Sequence, residues 1–169
     1  KLSMFDKSIL SVDQLQKTFE AIILILKAFN PEVAIVFSVS PVRHLKDGFI
    51  ENNQSKAHLI SALHSVMKSS KNTHYFPSYE LLMDELREYR FYKEDMVHPN
   101  QIAVDYIWEK FQSSWIQHET ITIMKDVGTL QKGLAHRPFN PKAAAHTEFL
   151  SKLAIKAKAL EARFPFMKF

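Results

Sequence analysis

Asn30-Pro31-Glu32-Val33-Ala34-Ile35-Val36-Phe37-Ser38-Val39-Ser40-Pro41 decides the fold class of this 169-residue chain. Proline lacks a backbone N–H and disfavours helical geometry in the residue before it, so Asn30-Pro31 stops whatever helix precedes it. Val33–Phe37 is then a short, continuous apolar run rich in β-branched side chains, the pattern of a parallel strand buried on both faces. Upstream, Ser11 and Gln14 have the form of a capping box, and Leu15, Phe19, Ile22, Ile23 and Leu26 recur at helical spacing. A helix is expected from about Val12 to Phe29. Helix followed by buried strand is half of a βαβ unit.

The alternation repeats downstream. Asn52-Asn53 opens a second helical pattern through Ala57, Ile60, Leu63, Val66 and Met67, and His74-Tyr75-Phe76 forms a second strand ended by Pro77. Ser78 starts a short helix reaching about Glu88, and Pro99 opens another through Ile102, Tyr106, Ile107, Trp108 and Phe111. Beyond Gln117 the pattern is helical only: Thr120–Leu130, a linker at Arg137-Pro138-Phe139-Asn140-Pro141, then a long helix over Lys142–Phe164. The class is therefore α/β with parallel strands, followed by a helical C-terminal tail. Two short strands are too few for an independent sheet, so further strands are expected from residues outside this chain. Lys1 shows neither an initiator methionine nor a signal-peptide pattern, and the native beginning is expected to lie upstream.

Composition excludes several functions. The net charge is +4, but Lys and Arg are interleaved with acids rather than clustered, so a nucleic-acid partner is not expected. The longest apolar run, Ala21–Leu26, is far short of the ~20 residues of a membrane span. There is no cysteine, hence no disulfide framework or thiolate metal site, and the cytoplasm is the preferred compartment. Three glycines, Gly48, Gly128 and Gly133, cannot form a P-loop or a dinucleotide turn. His58 and His64 lack a companion ligand at i+4, and His118, His136 and His146 are dispersed, so neither a metal nor another cofactor is expected.

Chemistry concentrates in two loops. Asp95-Met96-Val97-His98-Pro99 sets a carboxylate three residues ahead of an imidazole; a hydrolytic histidine needs one ring nitrogen held by an acceptor while the other takes a proton. The competing reading makes Asp95 a turn cap and His98 an ordinary exposed side chain. Ser38-Val39-Ser40-Pro41-Val42-Arg43-His44 follows the carboxyl end of the first strand, where open α/β sheets bind ligands. Arg43 suits an anionic or carbonyl oxygen, with Ser40 or His44 as donors. Alternatively Ser40-Pro41 merely ends the strand and Arg43 pairs with an acid. In Leu86-Arg87-Glu88-Tyr89-Arg90-Phe91-Tyr92, Phe91 and Tyr92 are expected to anchor the loop and Arg90 to form a salt bridge.

Taken together, Ser40-Pro41-Val42-Arg43-His44, Asn53-x-Ser55-Lys56, Tyr75-Phe76-Pro77-Ser78-Tyr79-Glu80, Leu86-Arg87-x-Tyr89-Arg90-Phe91-Tyr92 and Asp95-Met96-Val97-His98-Pro99 closely resemble the GSCFA family. The similarity extends from about Phe5 to about Pro141 and fades in the last helix. The family is itself similar to the SGNH hydrolases, whose flavodoxin-like three-layer sandwich carries a serine nucleophile near its N-terminus and an Asp-x-x-His block near its C-terminus.

The resemblance implies a serine-dependent hydrolase of acyl or acetyl esters with Asp95 and His98 as catalytic residues; Ser40, Arg43 and His44 are expected at the substrate, a small-molecule or glycan ester, from their place past the strand end. The Gly-Ser-Cys-Phe-Ala stretch that names the family is absent here. Residues 1–117 are therefore expected to be the C-terminal half of the hydrolase domain, with 118–169 a helical extension and the nucleophile on a missing N-terminal half. The chain alone would then be inactive. The alternative is a non-catalytic interaction or structural module whose tail, with Leu150, Leu153, Ala157, Leu160 and Phe164 in one stripe, mediates oligomerisation. Ser40 is disfavoured as the nucleophile, because Pro41 removes the following N–H that oxyanion holes commonly use.

Overall fold

The computed structural model describes residues 7–140 and 143–169. Phe5, Pro141 and Lys142, which bounded the expected resemblance, the linker and the last helix, lie outside the described residues. The chain divides into two compact units, Lys1–Lys110 and Phe111–Phe169.

In the first unit, helix α1 covers Val12–Phe29 and begins at the expected capping box: Gln14 N–H donates to Ser11 Oγ, and the Ser11 N–H donates to Gln14 Oε1 at 2.9 Å. Such caps contribute about 1 kcal/mol each. Strand β1 is Ile35–Phe37, helix α2 is Phe49–Ser69 and strand β2 is Thr73–Tyr75. The two strands pair in parallel, Ile35 opposite Thr73 and Phe37 opposite Tyr75, which makes β1–α2–β2 the βαβ unit that the alternation predicted. Helix α2 starts three residues before Asn52, because Gly48 at φ 95° turns the chain into it.

Ile23 of α1, Ile35 of β1 and Val66 of α2 form one core with Phe19, Val33 and Phe37, so both helices cover the same face of the sheet. The opposite face departs from the sequence reading. Val36 is 36% exposed and His74 is exposed, so β1 is buried on one face rather than two. The described residues are mostly helical with a two-stranded parallel sheet, and the third layer of a flavodoxin-like sandwich is not among them.

A second core forms after β2. Helix α3, Ser78–Glu80, runs into a π-helical turn over Leu81–Leu86; Leu82 and Leu86 then pack with Tyr92 and with Ala103 of helix α4, Gln101–Trp115. The helix expected to run to Glu88 therefore ends at Arg87, whose φ is 55°.

The second unit pairs helix α5, His118–Ala135, with helix α6, Ala144–Arg163. Leu153, Ala157, Leu160 and Phe164 pack against Val127 and Leu130, so most of the stripe read as a possible docking face is intramolecular core. Gly133 permits the close approach: a Cβ there would lie 2.6 Å from Leu153 Cδ2 and 2.8 Å from Cδ1. At Gly128 nothing lies within 4 Å of such an atom. Gly128→Ala should thus gain the ordinary helix propensity of roughly 1 kcal/mol, whereas Gly133→Ala should lose stability because the buried Leu153 must move. Thermal unfolding of both variants checks this, and an equal rise in Tm for Gly133→Ala would contradict the packing.

Candidate active site

The Asp-x-x-His block sits on a short hairpin-like loop. Tyr92 and Pro99 form an antiparallel bridge, the Lys93 N–H donates to the His98 carbonyl at 2.8 Å, and the Met96 N–H donates back to the Lys93 carbonyl at 2.9 Å. Asn100 closes the loop onto α4: its Oδ1 accepts from the Ala103 N–H, its own N–H donates to the Phe91 carbonyl, and its Nδ2 donates to the Arg90 carbonyl. The helix therefore begins after Asn100, not at Pro99, because an asparagine oxygen can cap free N–H groups and proline cannot. Tyr92, 6% exposed, anchors the loop in the second core, and Arg90 forms an exposed ion pair with Glu88 at 2.9 Å, both as the sequence led us to expect.

Within this loop the carboxylate of Asp95 faces two ways. Oδ1 accepts from the Val97 N–H at 2.9 Å and the His98 N–H at 3.0 Å, while Oδ2 lies 2.7 Å from His98 Nδ1. Turn cap and imidazole partner, weighed above as rival readings, are both present in one side chain. The His98 N–H, the Val97 N–H and the His98 ring, in that order of influence, hold the Asp95 carboxyl well below the usual carboxylate range. Both side chains are about half exposed, and Asp95 is the only partner of the His98 ring among the described residues. That arrangement gives His98 an oriented ring with Nε2 left for chemistry.

Arg43 ties this loop to the end of β1. Its Nη1 donates to the Met96 carbonyl and its Nη2 to Tyr92 Oη, both at 3.2 Å, and the guanidinium lies 4.6 Å from the Tyr92 ring centre. Among the described residues it forms no ion pair, so the alternative in which it pairs with an acid does not hold there. Met96 is left-handed, with φ 58°, a conformation that non-glycine residues adopt only when their surroundings hold them there.

The other candidates lie elsewhere. Ser40 Oγ accepts from the Val42 N–H at 3.2 Å, a local turn that directs it to its own backbone rather than to His98. His44 lines a cleft of about 720 Å³ with Leu10, Leu15, Asp47, Asn52 and Leu59; Arg43, Asp95 and His98 do not line it. Asn52, read only as opening a helix, and Lys56, read only within a family block, grip the Ser40–His44 segment from α2: Lys56 Nζ donates to the Ser40 carbonyl at 2.6 Å and Asn52 Oδ1 accepts from the His44 N–H at 2.8 Å. Their i, i+4 spacing on α2 was the available signal. Among the described residues, no group of three or more His, Asp or Glu is placed to hold a metal, and no helix is long and apolar enough to cross a membrane.

The first unit is thus an α/β unit that carries an oriented Asp–His pair on a loop tied to the carboxyl end of its first strand. The chain belongs to the GSCFA family, whose model matches residues 2–111. The C-terminal domain of GSCFA domain proteins matches residues 127–169, so the family match spans the chain rather than a C-terminal portion of it and includes the last helix, where the resemblance was expected to fade. No curated protein and no solved structure matches the chain.

Since its folded pKa is depressed, Asp95 contributes stability to the loop that is complete above the ordinary carboxylate value near ~4 and is lost only as pH falls through the lower, folded value. The ¹³C carboxyl resonance of Asp95 should accordingly titrate below the ordinary carboxylate range. A titration midpoint in the ordinary carboxylate range would contradict the geometry.

Proposed function

We propose that this chain is the acid–base portion of a serine-dependent hydrolase of acyl or acetyl esters, with an SGNH-like active site. One observation carries the reading: the 2.7 Å contact between Asp95 Oδ2 and His98 Nδ1, in a carboxylate already fixed by two backbone amides. In this scheme His98 Nε2 takes the proton of a serine hydroxyl as the serine oxygen bonds to the ester carbonyl carbon. The resulting imidazolium, stabilised by Asp95, returns that proton to the alcohol as the ester C–O bond breaks. Water then attacks the acyl-enzyme, giving its proton to the same nitrogen, and the acid leaves as the serine is restored.

The serine comes from outside these 169 residues. Ser40 is a poor candidate on two counts: its hydroxyl caps the Val42 N–H, and Pro41 offers no N–H where negative charge develops. The uncovered face of the β1–β2 sheet, with Val36 exposed, supports a further layer and further strands from the same source, as in a flavodoxin-like sandwich. In this reading Arg43, bonded to the Met96 carbonyl, borders the ester-binding side with Ser40 at the start of its loop, His44 lines a separate cleft, and the substrate is a small-molecule or glycan ester.

A fluorophosphonate probe should leave Ser40 unlabelled and modify a serine outside residues 1–169 in a longer form of the protein, as read by peptide mapping. An adduct on Ser40 would overturn the division of labour. In the active form, His98→Ala should lower turnover by roughly 10⁴-fold or more, as loss of a triad member does. Unchanged turnover on an accepted ester would remove His98 from the mechanism.

A further inference from the structure

Among the described residues, Lys56 is the one buried charge, and the proposed chemistry does not use it. It lies on the inner side of α2, is 4% exposed, and has no carboxylate within ion-pair distance among the described residues. Burial pushes the pKa of its ammonium down, and no acid acts in the opposite direction. Withdrawing an ammonium from water without a counter-ion costs several kcal/mol, so a neutral side chain of the same length would suit the core better if packing were the only demand.

What the ammonium does is hold a loop. Nζ donates to the Ser40 carbonyl at 2.6 Å, and one helical turn earlier Asn52 accepts from the His44 N–H, so α2 fastens the segment at both ends. Arg43 lies between these fasteners and reaches out to the Met96 carbonyl. Met96 is in turn the left-handed residue between Asp95 and His98. The linkage runs from the buried ammonium to the Ser40 carbonyl, along the backbone to Arg43, and through its guanidinium to the turn that orients the imidazole.

We propose that Lys56 is a positioning residue for the Asp95–His98 pair, acting through the Ser40 carbonyl and the Arg43 clamp. The assignment to catalysis rests on the hydrolase reading above; the mechanical linkage does not. A charge-assisted hydrogen bond to a main-chain carbonyl pins the backbone directly, and Arg43 can hold Met96 only if its own backbone is held.

Amide hydrogen exchange of the Val97 and His98 N–H groups, measured by NMR on the 169-residue chain, reads the turn itself. Lys56→Met and, as a second neutral variant, Lys56→Gln should each lower protection at these two amides about tenfold. Protection within α2 should be unchanged, and the Lys56→Met Tm unchanged or higher. Arg43→Met should lower Val97 and His98 protection similarly, and the double variant Lys56→Met/Arg43→Met no further than either single change. Unchanged protection at Val97 and His98 in the Lys56 variants would overturn the proposal, as would a loss spread equally over α2 or a double variant whose losses multiply. Failure of the hydrolase reading is scored separately: a longer form with no ester turnover leaves the exchange result standing, and an active enzyme does not rescue a linkage that exchange fails to show.

Discussion

A carboxylate bonded on both oxygens is the constraint on which the rest of the site depends. With Oδ1 committed to the amides of Val97 and His98 and Oδ2 to the His98 ring, Asp95 can neither rotate nor take a proton without breaking several hydrogen bonds. The same bonds that close the turn therefore fix where the imidazole points. In an exposed loop, a lone Asp–His contact would be worth little, since water and salt compete for both groups. Anchoring the acceptor through the backbone makes the pair a geometric feature of the loop instead of a transient encounter.

The fold supplies the walls for that loop from several sides. The hairpin is seated by Tyr92 in the core built from Leu82, Leu86 and Ala103, and closed by Asn100 at the start of α4. Arg43 joins it to the carboxyl end of β1, where a parallel α/β arrangement gathers its functional loops. The guanidinium makes two hydrogen bonds and lies over the Tyr89 and Tyr92 rings, with no ion pair among the described residues, so its position is set by the protein.

Much of this was legible in the residues because the signals are local. The capping box at Ser11, the stop at Asn30-Pro31 and the helical spacing after Asn52 predicted α1, β1 and α2, since each depends on contacts a few residues apart. The Asp95–His98 contact was legible for the same reason: three residues of separation and a turn are enough to bring the groups together. What failed was non-local. β1 reads as buried on both faces, yet Val36 is exposed, because composition reports how much burial a strand suits and not which partner supplies it. The stripe on α6 reads as core more readily than as a docking face, and its packing on Val127 and Leu130, with the approach at Gly133, places most of it in the core. Lys56 stood in a family block and at i, i+4 from Asn52, but a lysine on a helix reads as solvated until the loop it holds is seen.

The central claim is that His98 is presented as a base, with Nδ1 donating to Asp95 and Nε2 free to accept a proton. The tautomer of the neutral imidazole tests this most directly, through ¹⁵N NMR of the histidine-labelled chain. The account predicts a protonated Nδ1 with the shift and slow exchange of an N–H bonded to a carboxylate, and an unprotonated Nε2. A neutral His98 carrying its proton on Nε2 would leave no lone pair for a nucleophile's proton and would contradict it.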